Sequence, residues 1–428
     1  EWVPDGIYTD KMNTALTTNS LKAVTFVKYT DYIMVKHAIR SGAFWEIGPY
    51  LDDYPNLKHL NKKILQQSAI DGKIYGLYTE RQSSRQGVIL RKDWLDSLGL
   101  EEPGTIDELH EVLRQFTYRD PDGNGKDATF GLTDRNDLIF GAFKTLSSYF
   151  GSPNNWAFID HELVAEFETE QYIDTMNFMR QLYEEQLINQ DFAVTSKQVQ
   201  RDHLIRGDAG VYIGSMTDVQ RLSEEASKVN PDAEFTLVNR IAGPQGYRVW
   251  SIPNYNGLYL FSKKSIKNEK ELRQALTFFD RSMDPDVSNL MRYGFEHRHH
   301  IVQDGKVYLP QELYALRASE VNALHALMIA DLSNPNLMNV ANSEPLTELA
   351  EQLSEDNEKF LVEDPTVGLD SATYDEKGAE LSKIITDATY NYILGHLDEE
   401  GFHNEVEKWR ERGGNQIKEE LHKGYFAQ

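Results

Sequence analysis

Cysteine is absent from the 428 residues. That excludes disulfides, thiolate metal sites and cysteine nucleophiles, and it removes any redox clue to compartment. Nor is there an uninterrupted apolar run of the roughly eighteen residues that a membrane-spanning helix requires. Basic side chains are outnumbered: 44 Lys and Arg stand against 68 Asp and Glu, a formal net charge of −24. Clustered cations that could neutralise phosphates are missing, so no nucleic acid partner is expected. The acidity suits a soluble, self-repelling surface and tolerates bound cations. Catalytic signatures are equally scarce. No G-x-S-x-G, H-E-x-x-H or Gly-rich phosphate loop occurs. A glycosidase carboxylate pair is built in space, so it cannot be picked out from sequence. No signal peptide is visible at Glu1, and Glu1-Trp2-Val3-Pro4 reads as a strand end, which sets the expectation of an upstream segment.

What is present is ample for two or three domains. Ala23-Val24-Thr25-Phe26-Val27 reads as a buried strand and residues 29–45 as a helix. Ile74-Tyr75-Gly76-Leu77 and Gly87-Val88-Ile89-Leu90-Arg91 read as short strands around a polar loop, Glu80 to Gln86. A helix from Lys92 to Leu98 stops at Gly99, a suitable C-cap. Thr105 and Asn268 are placed as N-caps of the next helix and of a helix from 268 to 280. Tyr172, Met176, Met179 and Leu182 form an apolar helical stripe that reads as core. From about 311 onward the pattern predicts an all-helical region, with a last helix over roughly 402–423. Mixed strands and helices before it give an α/β fold class.

One loop carries a chemical pattern. Asp120, Asp122 and Asn124 place side-chain oxygens at alternate positions, Gly125 follows where a sharp turn is needed, and the Lys126 carbonyl could add another oxygen. This is the first half of a Ca²⁺ loop of the EF-hand kind. The twelfth position is Gly131 rather than Glu, so a helix-loop-helix pair with a bidentate Glu cannot be built. Two readings stand: a structural Ca²⁺ loop completed by Asp127, carbonyls or water, or an ordinary polar turn.

Several motifs together resemble one family. They include Phe44-Trp45-Glu46, Asp71-Gly72-Lys73-Ile74-Tyr75-Gly76-Leu77, Arg91 through Leu100, the Asp120 loop, and Leu187-Ile188-Asn189-Gln190-Asp191-Phe192. Tyr293-Gly294-Phe295-Glu296, Gln303-Asp304-Gly305-Lys306, Ile393-Leu394-Gly395, Trp409 and Gly413-Gly414 complete the set. In this order they resemble the extracellular solute-binding proteins of carbohydrate ABC importers, in particular the large lipoprotein branch of Gram-positive bacteria. The resemblance implies a two-lobed α/β clamshell, periplasmic-binding-protein-like, with a hinge, a helical C-terminal region and sugar bound in the cleft. It places residues 1–103 plus 257–310 in the N-terminal lobe, whose first β-α unit would precede Glu1. Residues 104–256 plus 311–428 form the C-terminal lobe, with the calcium loop at 120–129. It implies a structural Ca²⁺, although the family usually has Asp at the position of Ala128 and here it falls one residue early, at Asp127. It further implies an oligosaccharide ligand, membrane permease subunits as partners, a monomer, no catalysis, and a cell-surface lipoprotein whose anchor lies outside this sequence.

Sugar recognition needs flat apolar faces and planar polar groups. The candidates are Trp156 and Trp250, read as loop aromatics among six Trp, with Tyr29, Asp31, Glu80, Arg81, Arg85 and Ser215 in loops that the resemblance puts at the cleft. Arg81 and Arg85 could fork onto hydroxyls or onto a sugar carboxylate. Glu296 is a further candidate, and the His297, His299 and His300 cluster reads as a polar cleft edge rather than a metal site. The rival functions are a secreted glycosidase or lyase that uses the calcium loop as scaffold, and an adhesion or sensor module.

Overall fold

A computed structural model describes the chain except residues 1, 2, 4, 124, 126–128, 342, 343, 427 and 428. The chain divides into two compact units: residues 1–82 with 253–343, and residues 83–252 with 344–428. The crossing near 256 is close to where the sequence places it, and the other two differ. Strand Gln86–Arg91 pairs with both Ala209–Ser215 and Phe235–Val238, which draws everything from Ser83 onward into the second unit. Residues 311–341 stay in the first unit, where Ala330 N–H donates to the Tyr78 carbonyl at 3.1 Å and Val307 bridges Val340. They form short helical turns rather than the start of the helical tail.

The first unit is built on a three-stranded antiparallel sheet, with Tyr255–Phe261 between Val24–Lys28 and Gly76–Glu80. The central strand, Tyr-Asn-Gly-Leu-Tyr-Leu-Phe, is buried on both faces from Gly257 onward and joins the core of this unit. A Cβ at Gly257 would sit 2.4 Å from the Phe26 ring and 2.5 Å from the Val27 carbonyl, so only glycine permits this approach. Tyr32, Val35 and Ile39, spaced by three and four residues, seat helix Tyr32–Arg40 on the sheet.

The second unit carries a four-stranded sheet in the order Phe130–Thr133, Ala209–Ser215, Gln86–Arg91, Phe235–Val238, parallel only between the first two. Thr105 caps helix Ile106–Tyr118 by accepting from Glu108 N–H at 3.2 Å, and Gly99 ends the preceding helix at φ +65°. The Tyr172, Met176, Met179 and Leu182 stripe is core, as its spacing predicts. It shares one buried cluster with Leu381, Ile385, Ala388 and Tyr392 of helix Ala372–Ile393. The predicted last helix is two helices, Glu399–Trp409 and Asn415–Phe426, joined by a wider turn. Gly413 there has φ +153°, and a Cβ at Gly414 would lie 2.4 Å from the Trp409 ring.

Candidate functional site

In the first unit, strand pairing gathers chemistry at one end of the sheet. Lys28 lies opposite Gly257 and Tyr255 opposite Glu80, so Tyr29, Tyr255, Glu80 and Arg81 all emerge at that end. The Tyr29 ring meets Tyr255 edge-on at 5.5 Å, and Tyr32 meets it at 6.4 Å. Asp31 is buried and accepts from the Thr9 hydroxyl at 2.7 Å. Arg81 N–H donates to the Asn254 carbonyl at 3.0 Å, while Asn254 N–H donates to the Gln67 side chain at 3.1 Å. Glu80 accepts from the backbone and hydroxyl of Ser333 at 2.8 and 2.6 Å. Burial pushes the Glu80 carboxyl up; the Ser333 donors pull it back, and Asp331 adds repulsion. Tyr29, Glu80 and Arg81 thus lie at one end of this sheet, with Asp31 two residues beyond Tyr29.

Glu296 does not join them. It is exposed in the turn after helix Pro285–Tyr293, and its carboxylate lies 3.9 Å from the His297 ring. The neighbouring histidines are absorbed locally. His299 accepts from Phe295 N–H at Nδ1 (2.9 Å), which leaves Nε2–H to donate to Glu320 at 3.0 Å. His300 donates from Nδ1 to the Tyr293 carbonyl at 3.1 Å. Among the described residues no group of three or more His, Cys, Asp or Glu could hold a metal.

In the second unit, Ser215 pairs with Gln86, and Met216 N–H donates to the Arg85 carbonyl at 2.8 Å, so Arg85 and Ser215 are neighbours at one sheet end. The Arg85 guanidinium is half-buried, and among the described residues its Nε has no hydrogen-bond partner. Burial lowers its pKa, and the nearby Asp218 only partly restores it. Asp218 itself is held by Arg201 at 2.7 Å and by the Tyr212 hydroxyl at 3.4 Å.

Neither tryptophan lies in a loop, where the sequence reading places it. Trp250 is only 3% exposed, in a two-residue strand with Val249 that pairs with Leu361–Val362. Its indole N–H donates to the Thr145 hydroxyl at 3.0 Å, and its ring lies 5.8 Å from Phe140. Trp156 opens the hairpin strand Trp156–Ile159, and its ring packs at 6.2 Å on Trp409, against the main core. The Trp250 indole fills an interior space, whereas Trp156 is half-buried and keeps part of its ring open to solvent. Sequence reasoning also missed a buried polar group. Asp134 accepts from Ala142 N–H at 2.9 Å, and Arg135 reaches Gln200 at 2.8 Å and Asp137 at 3.1 Å. Burial raises the Asp134 pKa to about 7. An Asp-Arg-Asn-Asp run looks like a solvated loop, and nothing in its composition signals burial.

The calcium-type loop is tightly turned. Asp120 Oδ2 accepts from Gly125 N–H at 2.8 Å, and Gly123 and Gly125 have φ of +66° and +74°. That fold-back brings the Asp120 carboxylate over its own loop, as an oxygen-ligand site needs, and Asp122 stands exposed beside it. Asn124, Lys126 and Asp127 lie outside the described residues.

Residues 1–280 match the profile of the bacterial extracellular solute-binding proteins, and the chain belongs to that family. It is 45% identical over 426 residues to the polygalacturonan/rhamnogalacturonan-binding protein YtcQ of Bacillus subtilis, spanning 99% of this chain and 84% of that one. It is 34% identical over 438 residues to the B. subtilis lipoprotein LipO (99% and 85%). Among solved structures, a solute-binding protein of Bifidobacterium longum infantis described as binding HMO and associated with an ABC transporter superposes with TM-score 0.77 at 16% identity, covering 99% and 91% of the two chains. The alginate-binding protein AlgQ2, solved without calcium ion, gives 0.74 at 17% identity (97% and 88%). The two-lobed α/β class expected from the sequence is borne out, as is the family. Family and neighbours are binding proteins rather than enzymes.

Proposed function

We propose that this chain is the ligand-capturing component of an ABC importer and that its cargo is an oligosaccharide carrying uronic acid residues. The observation that carries this reading is the 45% identity, over nearly the whole chain, to a polygalacturonan/rhamnogalacturonan-binding protein. Arg85 supports it: a half-buried guanidinium whose Nε lacks a partner is prepared for a planar anion such as a sugar carboxylate. On this reading Arg85 and Ser215 are sugar contacts, as are Tyr29, Asp31, Glu80 and Arg81. The chain acts as a monomer without turning its ligand over. A lipid anchor beyond this sequence holds it at the cell surface, in keeping with the lipoprotein relative LipO.

A structural Ca²⁺ belongs to the same reading. Asp120 and Asp122, with Asn124, the Lys126 carbonyl and Asp127, would hold it. The ion would supply the charge that ties adjacent carboxylates together in an acidic chain. The alginate-binding neighbour described as solved without calcium ion is consistent with metal in such proteins.

The test is a thermal-shift scan of the metal-replete protein against neutral and acidic oligosaccharides, followed by chromatography of the mixtures. A ligand that binds only the folded state raises the melting point according to its concentration over its Kd. Stabilisation by oligogalacturonides without their breakdown is expected. Stabilisation by neutral glycans alone would refute the uronate reading, and breakdown of any glycan would refute the pure binding reading.

A further inference from the structure

The first unit holds a second cationic site that none of the sequence candidates includes. Helix Pro285–Tyr293 carries Arg292, helix Tyr314–Glu320 carries Arg317, and the helical turn Asn322–Leu327 carries His325. Arg317 is half-buried, its Nε is sealed from water, and among the described residues its guanidinium has no hydrogen-bond or ion-pair partner. Its natural partner would be Glu320, three residues on along the same helix. That carboxylate is already engaged: Arg298 forks onto it at 2.7 to 2.9 Å and His299 donates to it at 3.0 Å.

Arg292 does little to balance the charge. Its Nη1 lies 3.6 Å from Asp331, so that carboxylate is already engaged by Arg292. The nearby histidines add no negative charge: His325 Nε2 donates to the Arg292 carbonyl at 2.9 Å and His300 Nδ1 to the Tyr293 carbonyl. Burial lowers the pKa of both rings and of Arg317, and Arg292 lowers Arg317 further by like-charge repulsion. In a chain of net charge −24, this excess of positive charge does not reflect a shortage of acids.

Beside it stands an aromatic face. Tyr314 lies one helical turn before Arg317, on the same side, and is 60% exposed. A guanidinium fork next to an accessible ring suits a uronic acid residue, whose C–H face rests on the ring while its carboxylate takes the donors.

We propose that Arg317, with Arg292 and the Tyr314 ring, forms a subsite for the carboxylate of one uronic acid residue of the bound oligosaccharide. The subsite rests on the reading that the cargo carries uronates. Arg317 is partly stripped of water before the ligand arrives, so the anion gains the pairing without the full desolvation cost.

Isothermal titration of the whole protein with trigalacturonic acid and with its fully methyl-esterified form tests this. Arg317→Gln is expected to weaken trigalacturonate by about ten- to one-hundredfold and to leave the ester within about twofold. The unliganded variant is expected to melt at or above the wild-type temperature, because the charge it removes has no partner to lose. Arg317→Lys keeps the charge without the fork and is expected to lose about three- to tenfold for the acid alone, which provides the readout should the Gln variant fold poorly. Unchanged trigalacturonate affinity in both variants would overturn the subsite and leave the cargo reading intact. Equal losses for acid and ester, with a lowered melting point, would assign Arg317 a structural role instead. A wild-type protein that binds neither acid nor ester would overturn the cargo reading, and the subsite with it.

Discussion

Replacing Lys144 by Met should destabilise the second unit severely, and the structure gives the size. The Lys144 amine is almost completely enclosed, with 6% of its side chain exposed, and pairs with Glu166, of which 16% is exposed. It also donates to Asn155 Oδ1 at 2.8 Å, and Asn155 N–H reaches Glu166 at 3.1 Å while its side-chain amide reaches Asp364 at 2.9 Å. One cation therefore stands among two sheltered carboxylates, and burial already pushes Asp364 above the usual carboxylate range against the pull of Lys144. Removing one partner of a buried pair costs about 3–5 kcal/mol because the other charge is left uncompensated. For a unit of this size each kcal/mol moves Tm by about 2–4 °C, so Lys144→Met should melt roughly 6–20 °C lower in a calorimetric scan. Adding Glu166→Gln to that variant should recover most of the loss, because no unpaired carboxylate remains at that position, and the cycle should show strong coupling. A single-variant shift under about 2 °C, or additive losses in the double variant, would refute the reasoning.

Two further perturbations follow from the same geometry. Asp134→Asn should stabilise the protein increasingly with pH. The folded-state pKa of Asp134 is raised to about 7 from an ordinary 3.8, so ionisation in the unfolded chain erodes stability as pH climbs from about 4 to 7, by at most about 4 kcal/mol. The variant and the wild type should therefore match near pH 4 and separate up to pH 7, and a pH-independent difference in Tm would count against this. For the Asp120 loop, chelator should lower Tm in the wild type and have no effect on Asp122→Ala; equal melting with and without chelator in the wild type would remove the metal from the description.

Local rules carried the sequence reading a long way. The β-rich runs at 23–27 and 87–91 are strands, Thr105 and Asn268 cap their helices, and the Tyr172 stripe is core, because each depends on spacing or on a cap within one turn. The reading of Trp250 and of the residues before Trp156 failed on partners about a hundred or more residues away. Trp250 follows a Gly-Pro loop and looks exposed, yet Leu361–Val362 pairs beside it and Thr145 takes its N–H. Asn154 and Asn155 look like ordinary turn residues in front of Trp156. Asn154 instead donates to the carbonyls of Ser251 and Val362 at 2.7 and 2.9 Å, pinning three segments together. Composition cannot tell an asparagine that makes a turn from one that joins three segments.

The same limit applies to the arginines, and there it bears on function. In so acidic a chain carboxylates are at hand for the guanidiniums, and Arg240, Arg273, Arg298 and Arg410 each pair with one. Among the described residues Arg85, Arg248 and Arg317 do not: each is half-buried, each has an Nε without a partner there, and burial lowers the pKa of each. Leaving one such charge unpaired is a cost that a nearby acid could have offset, and acids are in excess. At Arg317 the available acid on its own helix is pulled away by Arg298 and His299. Where acids abound and one guanidinium is still kept without one, the missing partner is best sought outside the chain, and a polyuronate supplies it at every sugar.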